Sequence, residues 1–174
     1  MIAKLITILI CVQTVFSESS LKHQQSFNQL MYDAYYKDAK SVAELQLKVV
    51  REIKGEKDAV TLLWMNNLAE SEIALANFEE SLRLLEIVEL QSQVQSEMST
   101  VFTSSYLTAL VLKVDAQYSS GLFEPCKQHI QRTLDLIKVR KISDSKFVGR
   151  LHFLKAKYEI ELGKSEKAEG SLYK

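Results

Sequence analysis

The chain has 174 residues, with one proline, five glycines, and 22 basic side chains balanced by 22 acidic ones. That length suits one ordinary domain or about four helix pairs of a solenoid, and the balanced charge provides no net field for nucleic acid or an anionic membrane surface. Few chain breakers, with apolar residues recurring every three or four positions, exclude a strand-rich fold and predict an all-α class.

The first stretch, MIAKLITILICVQTVFSES, carries Lys4, an apolar run from Leu5 to Phe16, and a small residue at Ser17 before a polar segment. This layout predicts a secretory signal over residues 1–17, cleaved after Ser17, in a run too short to span a bilayer comfortably. The alternative is a buried first helix, because the run has no polar face. Ile10 before Cys11 argues against lipidation, and after cleavage Cys126 alone would remain, so no internal disulfide could form.

A first helix is expected through Leu30, Met31, Tyr32 and Tyr35, broken at Lys37-Asp38-Ala39. Ser41 is expected to cap the second, with Glu44 completing a capping box and Val42, Leu45, Val49 and Ile53 forming the buried stripe. Gly55 should end that helix and Asp58 cap the next. The third helix carries Leu62, Met65, Leu68, Ala69, Ile73 and Ala76. After Asn77 its partner carries Leu82, Leu85, Val88 and Val94.

Residues 91–100 lack a firm stripe until Val101 and Phe102, after which Tyr106, Leu110, Val114 and Tyr118 predict a long helix stopped at Ser119-Ser120-Gly121. Pro125 then fits a first helical turn, where its missing amide costs nothing. Ile130, Leu134 and Ile137 continue that helix. Ser143 or Asp144 would cap the next, through Phe147, Leu151, Leu154, Tyr158 and Leu162 to Gly163, and Ser165 would open a short last helix. So short a helix cannot cover its neighbour, which leads to the expectation of a domain, 18–174, continuing beyond Lys174.

The breaks at Ala76-Asn77-Phe78, Gly121-Leu122-Phe123 and Gly163-Lys164-Ser165 fall in register, at intervals of 45 and 42 residues. Seven positions before them stand Ala69, Val114 and Ala156; five after stand Ser81, Cys126 and Ala168. Close helix crossings require such small side chains. This pattern resembles the tetratricopeptide repeat, over roughly Ser41 to Lys174, although the period exceeds the family's usual length of about 34 residues. The resemblance implies an antiparallel helix-hairpin solenoid. With the signal-like start, it also implies the exported, periplasmic sensory part of a bacterial envelope regulator or signalling protein.

Chemistry-bearing residues do not assemble into a motif. His23, His129 and His152 have no second ligand at metal spacing, Cys126 falls at a packing position, and no phosphate loop or nucleophile elbow is present. Trp64, Phe78, Tyr106, Tyr118, Phe123 and Tyr158 fall within apolar stripes and are expected in the core. No enzyme, cofactor or metal site is expected. The resemblance places Asn66, Glu70, Asp115, Tyr118, Arg150 and Lys157 on an inner face that would bind a protein or peptide partner, while Val111 and Phe153 at the equivalents of Asn66 exclude the family's carboxylate clamp. Direct nucleic acid contact is not expected, and membrane contact only through the signal or a further C-terminal segment. The alternatives are a cytosolic assembly subunit with Met1 to Phe16 as a core helix, or the non-catalytic part of a longer enzyme.

Overall fold

The computed structural model describes residues 21–95, 100–142 and 145–164. The expected signal at 1–17, the caps Ser143 and Asp144, and the last helix with Ala168 lie outside the described residues, as do the side chains of Val94 and Val101. Among the described residues the chain is all helical: α1 over 21–32, α2 Tyr36–Lys54, α3 Ala59–Ala74, α4 Phe78–Gln95, α5 Thr100–Ser119, α6 Phe123–Val139 and α7 Ser145–Glu161. From α2 to α7 consecutive helices pack on each other, α5 also packs on α3 and α7, and α1 joins the core through Phe27. The result is a stack of antiparallel helical hairpins.

One turn closes each hairpin among the described residues and also ends α7. Ala34, Ala76, Gly121 and Gly163 have φ of 63°, 62°, 76° and 70°, at intervals of 42, 45 and 42 residues. Each amide donates to the carbonyl three residues back, and the following amide to the one five back, as in Asn77 N to Glu72 O at 2.8 Å and Leu122 N to Gln117 O at 2.8 Å. This is the Schellman arrangement, which satisfies the last carbonyls of a helix by turning one residue left-handed. Lys141, at φ 52°, repeats it between α6 and α7.

The repeat therefore starts one hairpin earlier than its resemblance suggests. The expected break at Lys37-Asp38-Ala39 is displaced to Asp33-Ala34-Tyr35, because Ala34 turns left-handed and Gln29 Nε2 donates to Asp33 Oδ2 at 2.9 Å. Ser41 does not cap α2; it lies inside the helix, where its Oγ donates to Lys37 O. The buried stripe of α2 is also rotated from the expected one. Ala39, Ala43, Gln46, Leu47 and Val50 are buried, whereas Leu45 and Ile53 are 59% and 60% exposed. Small alanines let α2 approach its neighbours closely, and hydrophobicity alone does not disclose that preference. Ala76 is exposed in its turn, not part of the α3 stripe, and Leu162 is likewise exposed.

Elsewhere the local signals act as expected. Gly55, at φ 87°, closes α2, and Asp58 Oδ1 accepts from Val60 N at 2.9 Å to cap α3. Pro125 sits in the first turn of α6. Ala69, Ser81, Val114, Cys126 and Ala156 are all buried at the crossings. Leu62, Trp64, Met65, Leu85 and Val88 centre one cluster formed by α1 to α4 together with Ala109 and Leu112 of α5; Val111, Val114, Cys126, Ile130, Leu151 and Tyr158 centre another formed by α5 to α7. Phe27 meets Trp64 edge to face at 6.2 Å, a geometry worth about 0.5–1.5 kcal/mol beyond burial alone.

Ionic contacts join successive hairpins. Lys113 Nζ on α5 lies 2.9 Å from Glu89 Oε2 on α4, and Arg132 Nη1 on α6 lies 3.2 Å from Glu89 Oε1. Both carboxylate oxygens thus have a cationic donor. A buried ion pair needs this completeness to offset the cost of leaving water.

Candidate functional site

The equal turns place α3, α5 and α7 in equivalent positions, so Glu70, Asp115 and Lys157 occupy one rung and Leu63, Thr108 and Arg150 another. Arg150 Nη1 meets Glu70 Oε1 at 3.0 Å, and its Nη2 meets Asp115 Oδ2 at 3.1 Å. One guanidinium on α7 therefore reaches carboxylates on both α5 and α3. Its fork can serve two acceptors at once, which a lysine could not do with the same geometry. Burial works against its charge, but Glu70 and then Asp115 outweigh that cost and raise the pKa above the ordinary arginine value.

Lys157 Nζ lies 4.6 Å from the centre of the Tyr118 ring and 5.8 Å from that of Phe153. Ring quadrupoles hold a cation at such distances without neutralising it. Tyr118 in turn packs edge-on against Phe123, and burial, then the charge of Glu161, raises its hydroxyl pKa. Phe153 is 54% exposed beside this cation, and Leu63 is 38% exposed on the same face.

Five of the six expected residues, Glu70, Asp115, Tyr118, Arg150 and Lys157, thus come together in two contact groups. Asn66 does not join them. It is 1% exposed, and its Nδ2 donates to Ser105 O at 3.0 Å across the α3–α5 interface. The amide that sequence reasoning assigned to a ligand backbone is engaged by the neighbouring helix. Phe153, by contrast, was read only as a departure from the clamp. It lies outside the expected stripe of α7, at the register where Asn66 and Val111 are each 1% exposed beneath the next hairpin, and among the described residues no helix follows α7 to cover it.

Two concave regions lie away from this face. An open groove of about 710 Å³ between α6 and α7 has Ile130 and Tyr158 among its lining, with Lys127, Gln131, Lys155 and Glu159 around them. A shallower one lies at the Ala76 turn, where Lys40 Nζ and Asn77 Nδ2 approach Glu72 at 2.9 and 2.7 Å. The hydrogen bond from Lys40 to Glu72 raises the lysine pKa, against burial. Spacing could not disclose Glu72 and Lys40, because they lie on different hairpins.

The thiol of Cys126 is buried, and desolvation, followed by the charge of Asp115, pushes its pKa up to about 11. A thiolate is the reactive form, so this cysteine acts as a packing group. Among the described residues no cluster of three His, Cys, Asp or Glu could hold a metal ion, and no helix is long and apolar enough to cross a membrane. No family model matches the sequence, and no curated protein is significantly similar to it.

Proposed function

We propose that the chain is a non-enzymatic, tetratricopeptide-like scaffold that binds an extended segment of a partner protein along α3, α5 and α7. The observation that carries this reading is the exposed ring of Phe153 beside the positioned ammonium of Lys157, on a face that Arg150 ties together through Glu70 and Asp115. An apolar anchor next to a fixed charge is the arrangement that gives a peptide both affinity and orientation. Selection of peptides from a displayed random library on the immobilised chain tests it. Enriched sequences should share a motif and lose binding to the Phe153→Ala and Lys157→Ala chains, but not to Arg83→Ala on α4. Enrichment without a common motif, or equal binding to all three, would refute the reading.

We assign this scaffold to the exported sensory part of a bacterial signalling or regulatory protein, on the signal-like layout of residues 1–17. The alternatives are a cytosolic assembly subunit that keeps residues 1–16, or the non-catalytic part of a longer enzyme.

A further inference from the structure

Five residues before the turns at Ala76, Gly121 and Gly163 stand Ser71, Ala116 and Tyr158. Ser71 and Ala116 are small and fully buried, and α3 and α5 lie close against α2 and α4. Tyr158 is large, and α7 meets α6 less closely. A bulky side chain at a crossing holds two helices apart, and here the phenol ring packs on Phe123 of α6, with ring centres 6.5 Å apart. The groove of about 710 Å³ lies along this looser contact, with Ile130 and Tyr158 as its apolar floor. Its volume falls within the range of about 300–1,000 Å³ usual for small-ligand sites.

The charged groups around this floor are largely matched. Lys155 Nζ lies 3.5 Å from Glu159 Oε1, Lys127 Nζ lies 3.8 Å from Glu124 Oε1, Gln131 Nε2 donates to Asp135 Oδ1 at 2.9 Å, and Arg132 is held by Glu89. What is left over is rich in donors. Tyr158 is 7% exposed, yet among the described residues its hydroxyl makes no hydrogen bond, and the Gln128 amide and Lys164 ammonium on the same lining are also unengaged. A phenol buried to this degree normally finds an acceptor. We propose that the groove binds a small carboxylic acid with an apolar body. The body lies on Ile130 and the Tyr158 ring, and the carboxylate accepts from the Tyr158 hydroxyl, with Lys164 and Gln128 supplying further donors. Such a surplus of donors selects an anion over a cation with the same body.

The full chain is titrated by calorimetry with decanoate, with phenylbutyrate and with decylammonium, while the Ile130 methyl group is followed by NMR. Expected is one acid per chain and a shift of the Ile130 methyl signal. Binding should be about tenfold weaker or more for decylammonium, and for decanoate on Tyr158→Phe, because a hydrogen bond to a charged group is worth at least about that factor. Tyr158→Phe keeps the ring that holds the groove open, so loss of the hydroxyl is separated from loss of the cavity. Phe153→Ala and Lys157→Ala, on the peptide face, should bind decanoate unchanged, so this test fails or succeeds independently of the binding reading. The absence of saturable binding by either acid would overturn the proposal. So would equal binding of decanoate and decylammonium, unchanged affinity on Tyr158→Phe, or binding lost on Phe153→Ala. Should Tyr158→Phe fail to fold, the Ile130 shift and the preference for decanoate over decylammonium in the unaltered chain decide the question.

Discussion

Replacing Ala76 by glycine should make the protein more stable, contrary to the usual effect of glycine beside a helix. Ala76 has φ 62°, a conformation that costs an L-residue about 1–2 kcal/mol and glycine almost nothing. Opposing this gain, glycine adds unfolded-state entropy worth about 0.4–1 kcal/mol. Ala76 is exposed, so its methyl group takes little packing with it. The balance is a stabilisation of about 0.5–1 kcal/mol, or a rise of about 1–4 °C in Tm for a domain of this size. The reverse change at the equivalent turn, Gly121→Ala, should lose a similar amount, because an added Cβ there meets nothing within 4 Å and only the backbone conformation is penalised. Urea unfolding of the three proteins, with unchanged m-values, measures both effects. A destabilised Ala76→Gly chain, or a neutral Gly121→Ala chain, would refute the claim that one left-handed turn closes each hairpin.

Three further perturbations examine the contacts between and within hairpins. Asp58→Ala removes the acceptor for Val60 N and should cost about 1 kcal/mol in urea unfolding, with Asp58→Asn losing much less. Arg150→Met leaves Glu70 and Asp115 facing each other without their shared cation. Because all three are part-exposed, the expected loss is about 1 kcal/mol, and Asp115→Asn should recover part of it in a double-mutant cycle. His129 has its pKa lowered by burial and then by Lys113, so the folded protein disfavours its charged form. The unfolded chain binds the extra proton more readily; stability from this group is complete above roughly pH 6.5 and is lost as pH falls toward the depressed folded value. His129→Gln should therefore flatten the decline in stability between pH 7 and 5, and an unchanged decline would contradict the assignment.

Turn chemistry was the most legible part of this fold. Gly55, Asp58, Gly121, Pro125 and Gly163 act where their backbone preferences place them, and the spacing of small residues located the crossings at Ala69, Ser81, Val114, Cys126 and Ala156. The first hairpin was hidden because Phe27 stands seven residues before its turn, where the later hairpins have Ala69, Val114 and Ala156, and because the alanines of α2 bury themselves while Leu45 and Ile53 face outward. Asn66 shows the same limit at the candidate site. Its position on the inner face could be inferred by equivalence, but its burial depends on how closely α5 approaches α3. Pairings across hairpins, such as Arg150 with Glu70 or Lys113 with Glu89, join residues far apart in the chain and follow only from the stacking.

The most direct test of the scaffold account locates a selected peptide on the protein. With benzoylphenylalanine in place of Phe153, illumination should cross-link a library-selected peptide at a single register, while the same photoreactive residue in place of Arg83 should give no product. Equal cross-linking from both positions, or product from position 83 alone, would place the ligand away from α3, α5 and α7 and contradict the account.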